Sequence, residues 1–237
     1  QSTVINTAFA DLKVLVSDAQ GQPVPRINVI FTSPVSTSPS ITAAPTATAK
    51  TDANGVATLS GVLANGFAGG PYTVTATAGG KSTAFTLTNT RAAQAALTAT
   101  ATPNPIAYNT ASTLGTTGGT GSGAVTFALD AADLTAANYC TLAANTVTAK
   151  LAGGSCSIIA TKAGDANYTP ASATVVVSTT KAAQTGFAAQ ATPAAIEVNG
   201  LSVLSTTGGQ STAQAVVVVA PASAAVCVLE SATQLRG

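Results

Sequence analysis

The chain has 237 residues and carries few groups able to move protons or hold metals: histidine, tryptophan and methionine are absent, and charged residues make up 7%, against about 25% in an ordinary soluble domain. Catalysis and resident cofactors are therefore not expected. The net charge is +1, with lysines and arginines scattered singly from Lys13 to Arg236, which offers no basic stripe to a nucleic-acid backbone.

Hydrophobic residues reach 46%, supplied mostly by alanine and valine. The longest apolar run, around Ala213 to Ala222, is interrupted by Gln214 and Pro221 and falls short of the roughly 18 residues a membrane span needs. Disordered chains combine low hydrophobicity with high net charge, and this chain has neither. Threonine and valine runs separated by Gly, Asn and Pro are the composition of short strands and tight turns. The chain opens at Gln1 without a leader, and we expect a segment of a longer secreted or surface protein.

In chain order, residues 1–90 form a first domain. Phe9 to Asp18 is an apolar stretch. Ile27, Val29 and Phe31 share one face of a strand, and Tyr72, Val74, Ala76 and Ala78 share one face of another, because side chains alternate along extended chain. Phe85 and Leu87 close the domain. Asp18-Ala19-Gln20-Gly21 and Asp52-Ala53-Asn54-Gly55 have turn chemistry, with glycine where positive φ is needed. Residues 91–181 form a second domain in which Val125, Phe127 and Leu129 alternate inward, as do Cys156, Ile158 and Ala160, before a β-branched run at Thr174 to Val177. Every long segment reads as strand and none as helix. Seven or so short strands in about 90 residues indicate an all-β chain of tandem antiparallel sandwiches.

A repeat with a spacing of 90 residues joins the second domain to the rest. Arg91-Ala92-Ala93-Gln94 returns as Lys181-Ala182-Ala183-Gln184, Ala101-Thr102-Pro103 as Ala191-Thr192-Pro193, and Thr116-Thr117-Gly118-Gly119 as Thr206-Thr207-Gly208-Gly209. Such self-similarity marks a repeat architecture. Cys140 is answered by Cys227, so residues 182–237 read as a truncated partial copy of about half a domain.

The first domain resembles the bacterial Ig-like repeats of invasin and intimin type. The resemblance runs through Leu12 to Asp18, Gly21-Gln22-Pro23-Val24-Pro25, Val29-Ile30-Phe31, Thr51 to Ala57, Gly70 to Ala76 and Phe85 to Asn89, with the usual opening strand missing or very short. The later units are similar to another class of bacterial Ig-like repeat found in tandem in large surface and secreted proteins, carried by Ala93-Gln94, Gly118-Gly119, Gly121 to Val125, Cys140, Gly153 to Cys156 and Ala163 to Tyr168. The resemblance implies an extracellular stalk or adhesive repeat, whose partners are neighbouring Ig-like repeats of the same longer chain. It implies no catalytic residue and no cofactor.

Cys140 and Cys156 are separated by a hairpin-like stretch containing Asn145 and Gly153-Gly154, so adjacent strands could bring them within disulfide reach. Zinc needs more ligands and a nucleophilic thiol needs a basic partner; a structural disulfide is the better reading, and it points to an oxidising compartment. Cys227 then lacks its partner. Asp165 and Tyr168 resemble the tyrosine corner of Ig-like domains, in which the phenol bonds back to the backbone; a ligand-binding tyrosine is the alternative. Tyr72 and Tyr139 read as packed rings. Asp52 with Asn54, or Asp130 with Asp133, could contribute to a calcium site, but hard cations want six to eight oxygens. The glycine-rich run Gly118 to Gly123 lacks the lysine and helix of a phosphate loop.

Three functions compete at this point: a structural spacer, self-association through exposed strand edges, and a glycan- or protein-binding module. Self-association predicts a strand from another copy, or from unassigned chain, pairing between about Ser202 and Leu229.

Overall fold

The computed structural model describes residues 1–42, 45–211 and 213–237. Residues Gln1–Thr180 form one compact unit and Lys181–Gly237 another. Among the described residues the fold is all-β, with one short α-helix and a single 3-10 turn at Pro221–Ser223.

Among its described residues the first domain has seven strands: β1 Ser2–Val4, β2 Leu12–Leu15, β3 Asn28–Thr32, β4 Thr46–Lys50, β5 Val56–Leu59, β6 Gly69–Ala78 and β7 Lys81–Thr90. They form a five-stranded sheet, β1-β7-β6-β3-β4, and a two-stranded one, β2-β5. The opening strand is three residues long and runs parallel to the end of β7, Ser2 opposite Thr88. Alternation decides the core: Val29, Phe31, Val74, Ala76 and Leu87 from the larger sheet meet Leu12 and Ala57 from the smaller. Both Asp-Gly turns form as their chemistry dictates. Asp18 Oδ1 accepts from the Gln20 and Gln22 amides, Asp52 Oδ1 from those of Asn54 and Val56, and Gly21 and Gly55 take φ +80° and +72°.

One end of this core is polar. Asn89, 1% exposed, donates from Nδ2 to Ser40 O at 2.9 Å, Asn65 Oδ1 at 3.0 Å and Phe67 O at 3.1 Å, and its Oδ1 accepts the Tyr72 hydroxyl at 2.7 Å. Buried amides persist only when so satisfied. Burial pushes the Tyr72 phenol up to about 12, against a smaller opposing effect of the Asn89 bond.

The second domain has eight strands: β8 Leu97–Thr102, β9 Ile106–Ala107, β10 Ala111–Gly118, β11 Val125–Leu129, β12 Cys140–Ala143, β13 Thr146–Ala149, β14 Ser155–Lys162 and β15 Ala171–Thr180. They make two four-stranded sheets, β12-β13-β10-β8 and β11-β14-β15-β9. This is the immunoglobulin partition, in which the chain's first, second, fourth and fifth strands form one sheet and the third, sixth and seventh the other, β9 being a short continuation of the first that switches sheets to pair in parallel with β15. Ile106, Leu114, Val147, Ile158 and Val177 fill the space between.

Helix α1, Ala136–Tyr139, departs from the all-strand reading. It lies where the chain crosses from β11 to β12 in the opposite sheet, and Asp133 ties the crossover down: Oδ1 accepts the Thr135 amide and hydroxyl and Oδ2 the Ser157 amide. The Ser157 N–H, followed by the Thr135 hydroxyl, holds this carboxyl below the usual range.

The C-terminal unit contains β16 Ala188–Thr192, β17 Leu201–Thr207, β18 Val228–Ser231 and β19 Gln234–Arg236, in one sheet ordered β16-β17-β19-β18. This order repeats β8-β10-β13-β12, down to the cross-strand pair Ser202 with Leu235, which answers Ser112 with Val147.

Candidate functional sites

The motif Ala163 to Tyr168 lies in the turn between β14 and β15 and organises the start of its own domain. Asp165 Oδ1 accepts the Asn167 and Tyr168 amides, each at 2.9 Å. Its Oδ2 accepts the Ser122 amide at 2.7 Å and the Ser122 hydroxyl at 3.0 Å. Amides directed at the carboxylate, Ser122 first and then Asn167, lower Asp165 to about 2. The turn so fixed presents Asn167, whose carbonyl accepts the Ala92 amide at 2.9 Å while the Thr169 amide donates to Ala92 O. Asn167 Oδ1 accepts the Ala68 amide of the first domain at 2.8 Å.

Gln94 closes the same corner. Its Nε2 donates to Ala163 O and Thr169 O, and its Oε1 accepts the Gly121 amide. Here the Gly118-Gly119 pair has its reason. Gly118 has φ +80° and a Cβ there would strike Ala96 O; Gly119 has φ +69° and a Cβ would lie 2.8 Å from Lys162 Cδ and 3.0 Å from Gln94 Oε1. Gly208 and Gly209 repeat the conformation, a Cβ on Gly209 lying 2.7 Å from Gln184 Oε1. The residues linking the first two domains are thus held by side chains rather than left as free tether.

Tyr168 does not make the expected corner. The tyrosine corner of Ig-like domains stands where the chain enters the sixth strand, whereas Tyr168 follows β14, and among the described residues its phenol makes no hydrogen bond. The turn is built by the Asp165 carboxylate instead. Tyr139 packs against the second core and lies so close to Gly154 that a Cβ there would collide with its ring.

Cys140 and Cys156 are joined by a disulfide, with Cα atoms 6.2 Å apart. The reading that adjacent strands bring them together is corrected: Cys140 is on β12 opposite Ala149, Cys156 on β14 opposite Val177, so the bond crosses the core from one sheet to the other. Cys227 is free and half-buried. It stands immediately before β18, as Cys140 opens β12.

The carboxylates weighed as calcium ligands are engaged by backbone amides: Asp52 by Asn54 and Val56, Asp130 by Ala132. Among the described residues no group of three or more Cys, Asp or Glu side chains converges as a metal site, and no helix is long and apolar enough to cross a membrane. A 440 Å³ cleft in the first domain is lined by Val14, Val16, Val24, Val29, Ala76 and Ala78 among others, and holds no acid, base or nucleophile beyond Lys81 and hydroxyls.

No family model matches the chain, and no curated protein does. Among solved structures it is similar to invasin, described as a bacterial integrin-binding protein, at 20% identity over 86% of this chain and 44% of that one, with a TM-score of 0.44. It is also similar to domains 4–9 of the surface layer protein SbsC, at 15% identity over 80% of this chain and 31% of the other, with a TM-score of 0.26. The chain spans less than half the length of either. The strand ladders of β1 to β15 carry the assignment by themselves: residues 1–180 are two tandem immunoglobulin-like β-sandwiches.

Proposed function

We propose that the chain is a spacer segment of a bacterial surface or secreted protein, in which Ig-like repeats set end to end hold another part of the protein away from the cell. The observation that carries this reading is the clamp between the first two domains, where Asp165 shapes a turn whose Asn167 reaches back to Ala68 and Ala92. A tether that only connected domains would need no such bonds, and a flexible one would be rich in glycine and serine. The inter-sheet disulfide suits an oxidising compartment. A charged fraction of 7% and the absence of histidine fit a role without chemistry.

The test is small-angle scattering of the 237-residue chain combined with spin-label distances between the first and second domains. The wild type is expected to give one narrow distance distribution, and Asp165→Ala and Asn167→Ala to broaden it. An equally broad distribution in all three would overturn the spacer reading.

A further inference from the structure

The segment that enters the second domain runs beside the strand that leaves it, and in the same direction. Ala92 forms a parallel bridge to Tyr168 just before β15, where Gln94 Nε2 also donates to Thr169 O at 3.0 Å. Further along, the Asn104 side chain takes the place of a strand: its Nδ2 donates to Val176 O at 2.8 Å and its Oδ1 accepts the Ser178 amide at 3.1 Å. β9 then pairs Ile106 with Thr179 and Ala107 with Thr180, and the Tyr108 amide donates to Thr180 O at 2.8 Å. The first domain has a shorter version, with Ser2, Thr3 and Val4 of β1 parallel to Thr88, Asn89 and Thr90 of β7.

This direction decides how the domain meets tension. Pulled by its ends, the entering segment is drawn towards its N-terminus and β15 towards its C-terminus. Two parallel segments then slide against each other, and the bonds between them, evenly spaced in a parallel ladder, are strained together. An antiparallel pair of end segments would instead be opened from one end, bond by bond. We propose that the second domain is a force-bearing unit, and that the row Ala92, Gln94, Asn104, Ile106 and Ala107 along β15 is its grip against tension applied through its ends. The inference deepens the spacer reading, which supplies the pull. A domain that yields readily to tension while the spin-label distance across the junction stays narrow would sink this inference and leave the spacer standing.

The test holds the full 237-residue chain at constant tension through terminal peptide handles, with Cys140–Cys156 oxidised. Reduction identifies the second domain's unfolding event: the 16 positions closed by the disulfide, at about 3.5 Å each and less the 6.2 Å the bond spans, lengthen the contour it releases by about 50 Å. Forced unfolding reads the barrier rather than the equilibrium. Asn104→Ala removes two bonds from the row and is expected to shorten the lifetime of that event about tenfold at a given tension, and Gln94→Ala, at the other end of the row, to shorten it as well. Val147→Ala leaves a cavity on β13, where Val147 is 0% exposed, and so lowers stability in denaturant. It lies off the row, and contacts still intact at the barrier do not change the unfolding rate, so the lifetime is expected to stay within about twofold. A lifetime unmoved by Asn104→Ala and Gln94→Ala, or shortened as much by Val147→Ala, would overturn the proposal.

Discussion

The disulfide of the second domain can be tested quantitatively. Replacing both partners, Cys140→Ala with Cys156→Ala, removes a cross-link spanning 16 positions; in the chain-entropy account this is worth about 3 kcal/mol, because the unfolded chain regains its loop freedom. For a domain of about 90 residues, each kcal/mol moves the melting temperature by about 4 to 8 °C, so a fall of roughly 12 to 24 °C is expected. The bond joins β12 to β14 and both sulfurs lie in the core, with Cys140 and Cys156 1% and 0% exposed. The loss should therefore fall on the second domain alone. Tyr108, Tyr139 and Tyr168 lie in that domain and Tyr72 in the first, so urea titrations followed by tyrosine fluorescence weight the second, while hydrogen exchange resolves each separately. The denaturant slope should also rise, since the uncross-linked unfolded chain exposes more surface. A second domain whose stability stays within about 1 kcal/mol, well short of the cross-link value, or a first domain that falls by as much, would refute the reasoning.

Two further predictions concern buried and charged polar groups. Asn89→Ala strands Ser40 O, Asn65 and the Tyr72 hydroxyl and is expected to destabilise the first domain by about 2 to 4 kcal/mol, whereas Ser112→Ala, whose hydroxyl is buried without a partner among the described residues, should be neutral or slightly stabilising; denaturation of both variants checks the contrast, and equal costs would contradict it. Asp165 is lowered to about 2, so its contribution to the junction is fully present above the unfolded value near 3.8 and is lost as pH falls through about 2. A carboxyl titration followed by NMR should place its midpoint there, and a midpoint near 4 would show that the Ser122 and Asn167 amides do not hold it.

The alternation at Val29 and Phe31, at Val74 and Ala76, and at Cys156, Ile158 and Ala160 was enough to say which side chains face inward, because an extended chain has a period of two whatever it pairs with. The Asp-Gly turns were equally legible, since aspartate bonds to its own following amides and glycine alone takes positive φ at no cost. The 90-residue repeat tied the C-terminal unit to the second domain, whose β8-β10-β13-β12 order its sheet shares. Only the tertiary structure decided which sheet each strand joins, since both sheets of a sandwich carry the same alternation and the ladders that separate them are long-range. For that reason the local spacing of Cys140 and Cys156 suggested neighbouring strands, when the bond crosses the core. The same limit hid the work of Asp165 and Asn167: a carboxylate that shapes a turn, and an amide that reaches Ala68 from 99 positions away, are defined by partners that sequence proximity does not reveal.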